Sequence, residues 1–283
     1  MIKPLIGGHV SAAGGHYTCF ENAKKIGAET IQIFGASPRQ WSAKIPDEKS
    51  LKKYFDAKKN SDVQSVYLHA AYLVNLASPD NMLIEKSLIN LSAHLQICEL
   101  LRANGLIFHI GSGKDLKKSD AIKKVAKGMK KVLKNIPGKS LLIMENTAGG
   151  GNKIGSDLKE IGEIFRNVNS KRVKVCIDTA HAFEVGNIDE YTPKKIKNFF
   201  DEFERVIGLK NLECLHINDS KTQAGSQHDR HENIGKGFIG IQGFKSLAYE
   251  KRLMKIPWLL EVPGFDNQGP DKKNIQIVRK LFS

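Results

Sequence analysis

Leu141-Leu142-Ile143-Met144-Glu145 is a run of four apolar residues closed by a carboxylate. That length suits a buried strand and is too short for a core helix. The same form recurs along the chain. Candidate strands at Pro4–Ile6, Thr30–Phe34, Ser65–Leu68, Leu106–Phe108, Val173–Ile177, Leu212–Leu215 and Trp258–Leu260 complete, with Leu141–Met144, a series of eight. Amphipathic stretches lie between them. In one, Ile122, Val125, Met129, Val132 and Leu133 fall on one helical face, and lysines fill the other. Repeated strand–helix units, with no glycine-rich phosphate loop after the first strand, predict an α/β fold of the (β/α)8 TIM-barrel type rather than an open doubly wound sheet. One barrel domain over residues 1–283 is expected.

Composition narrows the class. The chain is 41% hydrophobic and 26% charged, with a mean hydropathy of −0.32, which is ordinary for a folded globular chain and excludes global disorder. No stretch approaches the roughly 18 apolar residues of a spanning helix, so no membrane association is expected. The N-terminus runs almost at once into an expected Gly/His turn at Gly7-Gly8-His9 and shows no export signal, and Cys19, Cys98, Cys176 and Cys214 form no CxxC pair. A cytoplasmic or other intracellular setting is expected, nucleoid-associated in a prokaryote, with the chain a monomer. Forty-four Lys and Arg against 30 Asp and Glu give a net charge of +14, which makes a polyanion the first partner to consider.

The strand ends carry the chemistry. His9, Gly35, His69, His109, Glu145, Asp178, His216 and Glu261 are read as the residues that follow them, and all but Gly35 could ligate a metal. In a barrel these positions converge on one rim. Two residues earlier, on the same strand face, Tyr67, Ile107, Ile143, Cys176, Cys214 and Leu259 are expected to fill the barrel core. A single His or Glu after a strand is ordinarily a satisfied hydrogen-bonding group. Several crowded on one rim would face large desolvation costs without a cation. Asp178-Thr179-Ala180-His181 and Asp229-Arg230-His231 add further donors. His69, His109, Glu145, Asp178, His181, His216, Asp229, His231 and Glu261 are too many for one catalytic ion, so two or three are implied. Mixed imidazole and carboxylate ligation suits zinc, with manganese or iron credible at one position.

At this point the chain resembles the endonuclease IV family of zinc-dependent apurinic/apyrimidinic (AP) endonucleases, over essentially its whole length. The likeness is carried by Gly8-His9-Val10-Ser11-Ala12-Ala13-Gly14-Gly15, by Glu145-Asn146-Thr147-Ala148-Gly149 and by Cys176-Ile177-Asp178-Thr179-Ala180-His181. His216-Ile217-Asn218-Asp219-Ser220-Lys221, Gly225-Ser226 and Asp229-Arg230-His231-Glu232-Asn233-Ile234-Gly235-Lys236-Gly237 extend it. The resemblance implies three zinc ions: one on His69, His109 and bridging Glu145, a second on Asp178, His216, Glu261 and Glu145, and a third on His181, Asp229 and His231. Three divalent ions against four carboxylates leave net positive charge for hydroxide and phosphate. The implied reaction is hydrolysis of the phosphodiester 5′ to an abasic site in duplex DNA, leaving a 3′-hydroxyl and a 5′-deoxyribose phosphate, together with removal of 3′-blocking groups. Glu145 is the implied catalytic residue.

DNA recognition is implied for loops on the C-terminal rim, with Arg39 and Tyr72 entering the base stack and Gln40 and Trp41 in the same Pro-stiffened loop as Arg39. His9 and Asn233 are expected beside the ligands or near the phosphate. His94, within an expected helix from Glu85 to Arg102, reads as a helix-surface or interface residue, and the lysines from Lys114 to Lys134 as a solvated outer face. Departures from the family are small: Ala70-Ala71 follows His69, and Val262-Pro263 follows Glu261. A metal-dependent sugar isomerase or epimerase is the alternative enzyme on such a barrel, and a non-catalytic damage-binding protein the alternative outside enzymes. The full ligand set argues against the latter.

Overall fold

The structure is a computed structural model describing residues 3–283. Among them, eight strands close a parallel barrel: β1 (Ile6–His9), β2 (Thr30–Phe34), β3 (Ser65–His69), β4 (Gly105–His109), β5 (Leu141–Glu145), β6 (Val173–Asp178), β7 (Leu212–His216) and, after two short strands, β10 (Trp258–Leu260). Each pairs with its sequence neighbour, and β10 closes the ring on β1 and β7. The short strands β8 (Asp219–Ser220) and β9 (His231–Glu232) form an antiparallel ladder beyond β7. The larger helices between strands are α1 (Thr18–Ile26), α2 (Glu48–Lys59), α3 (Asn81–Leu101), α4 (Lys118–Asn135) and α5 (Leu158–Val168). They are followed by α6 (Thr179–Glu184), α7 (Pro193–Val206), α8 (Gly240–Ala248) and α9 (Lys272–Arg279). No helix among the described residues is long and apolar enough to cross a membrane.

The barrel forms where the alternation placed it. Tyr67, Ile107, Ile143, Cys176, Cys214 and Leu259 make a separate buried cluster, distinct from the large apolar layer between strands and helices. This cluster lies two residues before the polar strand ends, so it floors the site with apolar side chains. Helix starts are fixed by side-chain caps: Asp47 accepts from Ser50 N–H at 2.8 Å, Asp80 from Met82 N–H at 2.8 Å and Asp271 from Asn274 N–H at 2.8 Å. All four cysteines are free and buried. The lysines of α4 are mostly exposed, while Ile122, Val125, Met129 and Val132 are buried.

Two expectations are corrected. The first strand runs from Ile6 to His9, not Pro4 to Ile6, so Gly7 and Gly8 are strand residues rather than a turn. The reason is close approach: a Cβ on Gly7 would lie 1.6 Å from the Thr30 carbonyl oxygen of β2. His94 is not on a helix surface. It is buried, its Nδ1 bonds to the Asn90 carbonyl at 2.9 Å, and its ring packs beneath Gly35 at the mouth of the barrel.

Candidate metal centre

His69, His109, Glu145, Asp178 and His216 are the last residues of β3, β4, β5, β6 and β7, and Glu261 follows β10. Strand pairing sets His109 beside Glu145 and Asp178 beside His216. His181 comes from the first turn of α6. Its approach is set by Asp178, whose Oδ1 accepts the His181 N–H at 3.0 Å. The β8–β9 ladder folds the intervening segment back, which brings Asp229 and His231 over the rim.

Glu145, wholly buried, is the centre. Its Oε2 lies 3.3 Å from His69 Nε2 and 3.1 Å from His109 Nε2, and its Oε1 lies 2.9 Å from His216 Nδ1. Glu261 Oε2 is 3.2 Å from His216 Nδ1. Asp229 reaches His181 Nε2 at 3.3 Å and His231 Nε2 at 3.5 Å. Donor atoms converge in three groups, each within 4.8 Å: His69, His109 and Glu145; Glu145, Asp178, His216 and Glu261; and Asp178, His181 and His231. The first two groups have the same members as the sets that the family resemblance implies. The third differs, because Asp178 is drawn into it and Asp229, more exposed, stands alongside.

Hydrogen counting tests whether cations fit. His69 Nδ1 is 2.8 Å from the Ala70 carbonyl and His181 Nδ1 is 2.9 Å from the Asn146 carbonyl. A carbonyl only accepts, so both rings place their hydrogen on Nδ1 and turn an Nε2 lone pair inward, toward carboxylate oxygens. Lone pairs facing carboxylates repel unless a proton or metal ion stands between them. Among the described residues, the buried Nε2 atoms of His181 and His231 make no aligned hydrogen bond, although Asp229 stands 3.3 and 3.5 Å from them. Electrostatics agree. Burial opposes charge on Glu145, yet His216 and His109 hold its carboxyl well below the usual range. Burial would lower His216, but Glu261 and Glu145 push it up to about 10. Against burial, Asp178 and Asp229 push His181 well above its ordinary value. The rim therefore attracts positive charge strongly, and the donor set suits divalent ions of the zinc type.

Neutral amides that sequence reasoning missed hold the candidate ligands. Asn146 Oδ1 accepts the Asp178 N–H at 2.6 Å. Asn218 donates to Asp178 Oδ2 at 2.7 Å and accepts the Glu261 N–H at 2.7 Å. Gln32 touches Glu261, His9 and His216. Glu184, buried on α6, accepts from Ser220 Oγ at 2.7 Å and from the Arg230 N–H at 3.1 Å, pinning the segment between Asp229 and His231. No spacing rule singles out such residues.

An open cleft of about 690 Å³ lies over the centre, lined by His69, His109, His181, His231, Glu261 and Tyr72. Tyr72 is 62% exposed at its mouth, with its ring 6.0 Å from that of His69 and 5.5 Å from that of Phe34. Arg39 and Gln40 are exposed on the loop between β2 and α2, and Trp41 is half-buried, its carbonyl accepting from Asn90 Nδ2 at 2.8 Å. His9 lines the cleft. The Asn233 side chain is spent elsewhere, on Asn274, Gly264 and Glu232, rather than on a ligand.

Fold and site together define a xylose isomerase-like TIM barrel, and the family model of that description matches residues 20–281. The comparisons resolve the class further. The "Probable endonuclease 4" of Aquifex aeolicus is 37% identical over 279 residues, 98% of each chain. The crystal structure of endonuclease IV from Thermus thermophilus superposes with a TM-score of 0.86 at 30% identity, covering 98% of each chain. The chain belongs to the endonuclease IV family. A D-tagatose 3-epimerase-like protein also superposes, with a TM-score of 0.74 over 97% of this chain and 96% of that one, but at 16% identity the likeness extends to the fold alone.

Proposed function

We propose that the chain is a DNA-repair AP endonuclease that hydrolyses the phosphodiester 5′ to abasic sites in duplex DNA, leaving a 3′-hydroxyl and a 5′-deoxyribose phosphate, and that it also removes 3′-blocking groups. One barrel domain would carry the whole site. The observation behind this reading is the convergence of His69, His109, Glu145, Asp178, His181, His216, Asp229, His231 and Glu261 on one rim, with inward lone pairs that call for cations.

These nine residues would hold three zinc ions, with manganese or iron able to replace one. When bound, such ions supply a nucleophile at neutral pH and positive charge for phosphoryl oxygens. Glu145, touching histidines of two groups, fixes the spacing between them. The apolar floor under these residues confines water to the mouth of the barrel and keeps their inner side at low dielectric, where their field is little screened. Tyr72 at that mouth, and Arg39, Gln40 and Trp41 on the neighbouring loop, would stack on or beside the bases flanking the lesion. An abasic nucleotide flips more easily than a paired one because it gives up no pairing and less stacking, which is a source of selectivity. The net charge of +14 favours association with a duplex.

A sugar epimerase reading shares the fold but uses neither the excess of ligands nor the positive charge. One preparation separates the two: it should incise a duplex bearing a single abasic analogue, giving a 3′ end that a polymerase extends, and leave ketohexoses unchanged. Epimerisation without incision would reverse the assignment.

A further inference from the structure

Gln32 is wholly buried on β2, directly across from His9 in the strand register. Its Nε2 lies 2.5 Å from Glu261 Oε1 and 2.9 Å from His9 Nδ1, and its Oε1 lies 2.8 Å from His216 Nε2. The amide has only one workable orientation. Turned over, its oxygen would face the Glu261 carboxylate, acceptor against acceptor.

The tautomers of two histidines follow from hydrogen count. Gln32 Oε1 can only accept, so His216 carries a hydrogen on Nε2, and its Nδ1 faces Glu145 Oε1 at 2.9 Å and Glu261 Oε2 at 3.2 Å, where a cation can take the place of a second proton. The two amide hydrogens of Gln32 go to Glu261 and to His9 Nδ1, so His9 must offer a lone pair there and carry its own hydrogen on Nε2. His9 forms part of the cleft wall.

We infer that Gln32 is a positioning residue that sets two tautomers at once, leaving His216 Nδ1 for a cation shared with Glu145 and Glu261 and presenting His9 Nε2–H to a phosphate oxygen of the substrate. The inference rests on the metal reading above. Without Gln32, His216 can place its hydrogen on Nδ1 and donate it to Glu145. That arrangement satisfies both groups with no metal and competes with loading.

The test is a long-range proton–nitrogen correlation spectrum of the zinc-loaded chain labelled with 15N-histidine. In the wild type, His216 is expected to show a protonated Nε2 and a metal-bound Nδ1, and His9 a protonated Nε2. Gln32→Leu should weaken the metal affinity of the His216 group by about 10- to 100-fold in chelator competition, the range for losing a partner behind a ligand. The same variant should raise KM for the duplex through His9. A metal-loaded wild type with the His216 hydrogen on Nδ1, or a Gln32→Leu chain with unchanged affinity and KM, overturns the inference alone. A wild type that loads no metal overturns the metal reading and this inference with it.

Discussion

Asp178 caps the helix that delivers His181: one carboxylate oxygen accepts the His181 backbone N–H at 3.0 Å, while the other lies 3.5 Å from His231 Nε2. A single side chain thus starts α6 and serves two donor groups of the rim. Asparagine caps as well as aspartate but carries no charge. Asp178→Asn should therefore keep the cap but lose metal and activity, with some loss of metal-free stability because its amide nitrogen would face Asn218 Nδ2, which donates to Asp178 Oδ2 at 2.7 Å. Asp178→Ala should lose both and cost a further ~1 kcal/mol of stability as the cap goes. Equal metal content in all three proteins would refute the dual role.

Glu145→Gln should keep the fold, because the amide can still accept hydrogen bonds in the same space. Turnover should fall by more than the roughly 100-fold that loss of a partner behind a ligand produces, since here the ligand itself changes. Single-turnover incision, alongside circular dichroism, checks this. A wild-type rate would remove Glu145 from its bridging role.

Arg39→Ala and Tyr72→Ala should weaken abasic duplex more than a 3′-phosphate substrate, Tyr72 by ~1–3 kcal/mol for the loss of one stacked base. Both side chains are exposed, so the fold should not respond. Equal losses on the two substrates would make them general phosphate contacts.

Burial pushes the Glu184 carboxyl up to about 7. Its folded value exceeds its ordinary value of 4.5, so the folded state binds the extra proton and stability falls as pH rises from about 4.5 to 7. Glu184→Gln lacks this loss. Measured on metal-free protein, its stability relative to wild type should climb across that window, by up to about 3 kcal/mol, and level off above it. A difference that does not change with pH would show that the carboxyl titrates normally.

Much of this architecture was legible in the sequence, and for a physical reason. Strand period two fixes which residues share a face, so the candidate ligands at 69, 109, 145, 178, 216 and 261 and the apolar floor two residues below them could be read together. What escaped was set by distances between separate segments. Gly7-Gly8 resembles a turn until the Thr30 carbonyl is seen to leave no room for a side chain. The place of Asp178 in the third donor group depends on a cap and a folded-back ladder. His94 lies on the same helical stripe as Leu91, Cys98 and Leu101, but polar Ser87, Asn90 and His94 itself interrupt the apolar pattern of that buried face. Gln32, Asn146 and Asn218 are uncharged and follow no spacing rule, yet they orient the ligands.

The most direct test of the central claim is incision of a labelled duplex with one abasic analogue, without magnesium, as zinc is returned to chelator-stripped protein. The stripped chain should leave the duplex intact, and cleavage 5′ to the lesion, ending in a 3′-hydroxyl, should rise to a plateau at three equivalents per chain. Undiminished cleavage by the stripped chain, or an intact duplex with three zinc ions bound, would contradict the account.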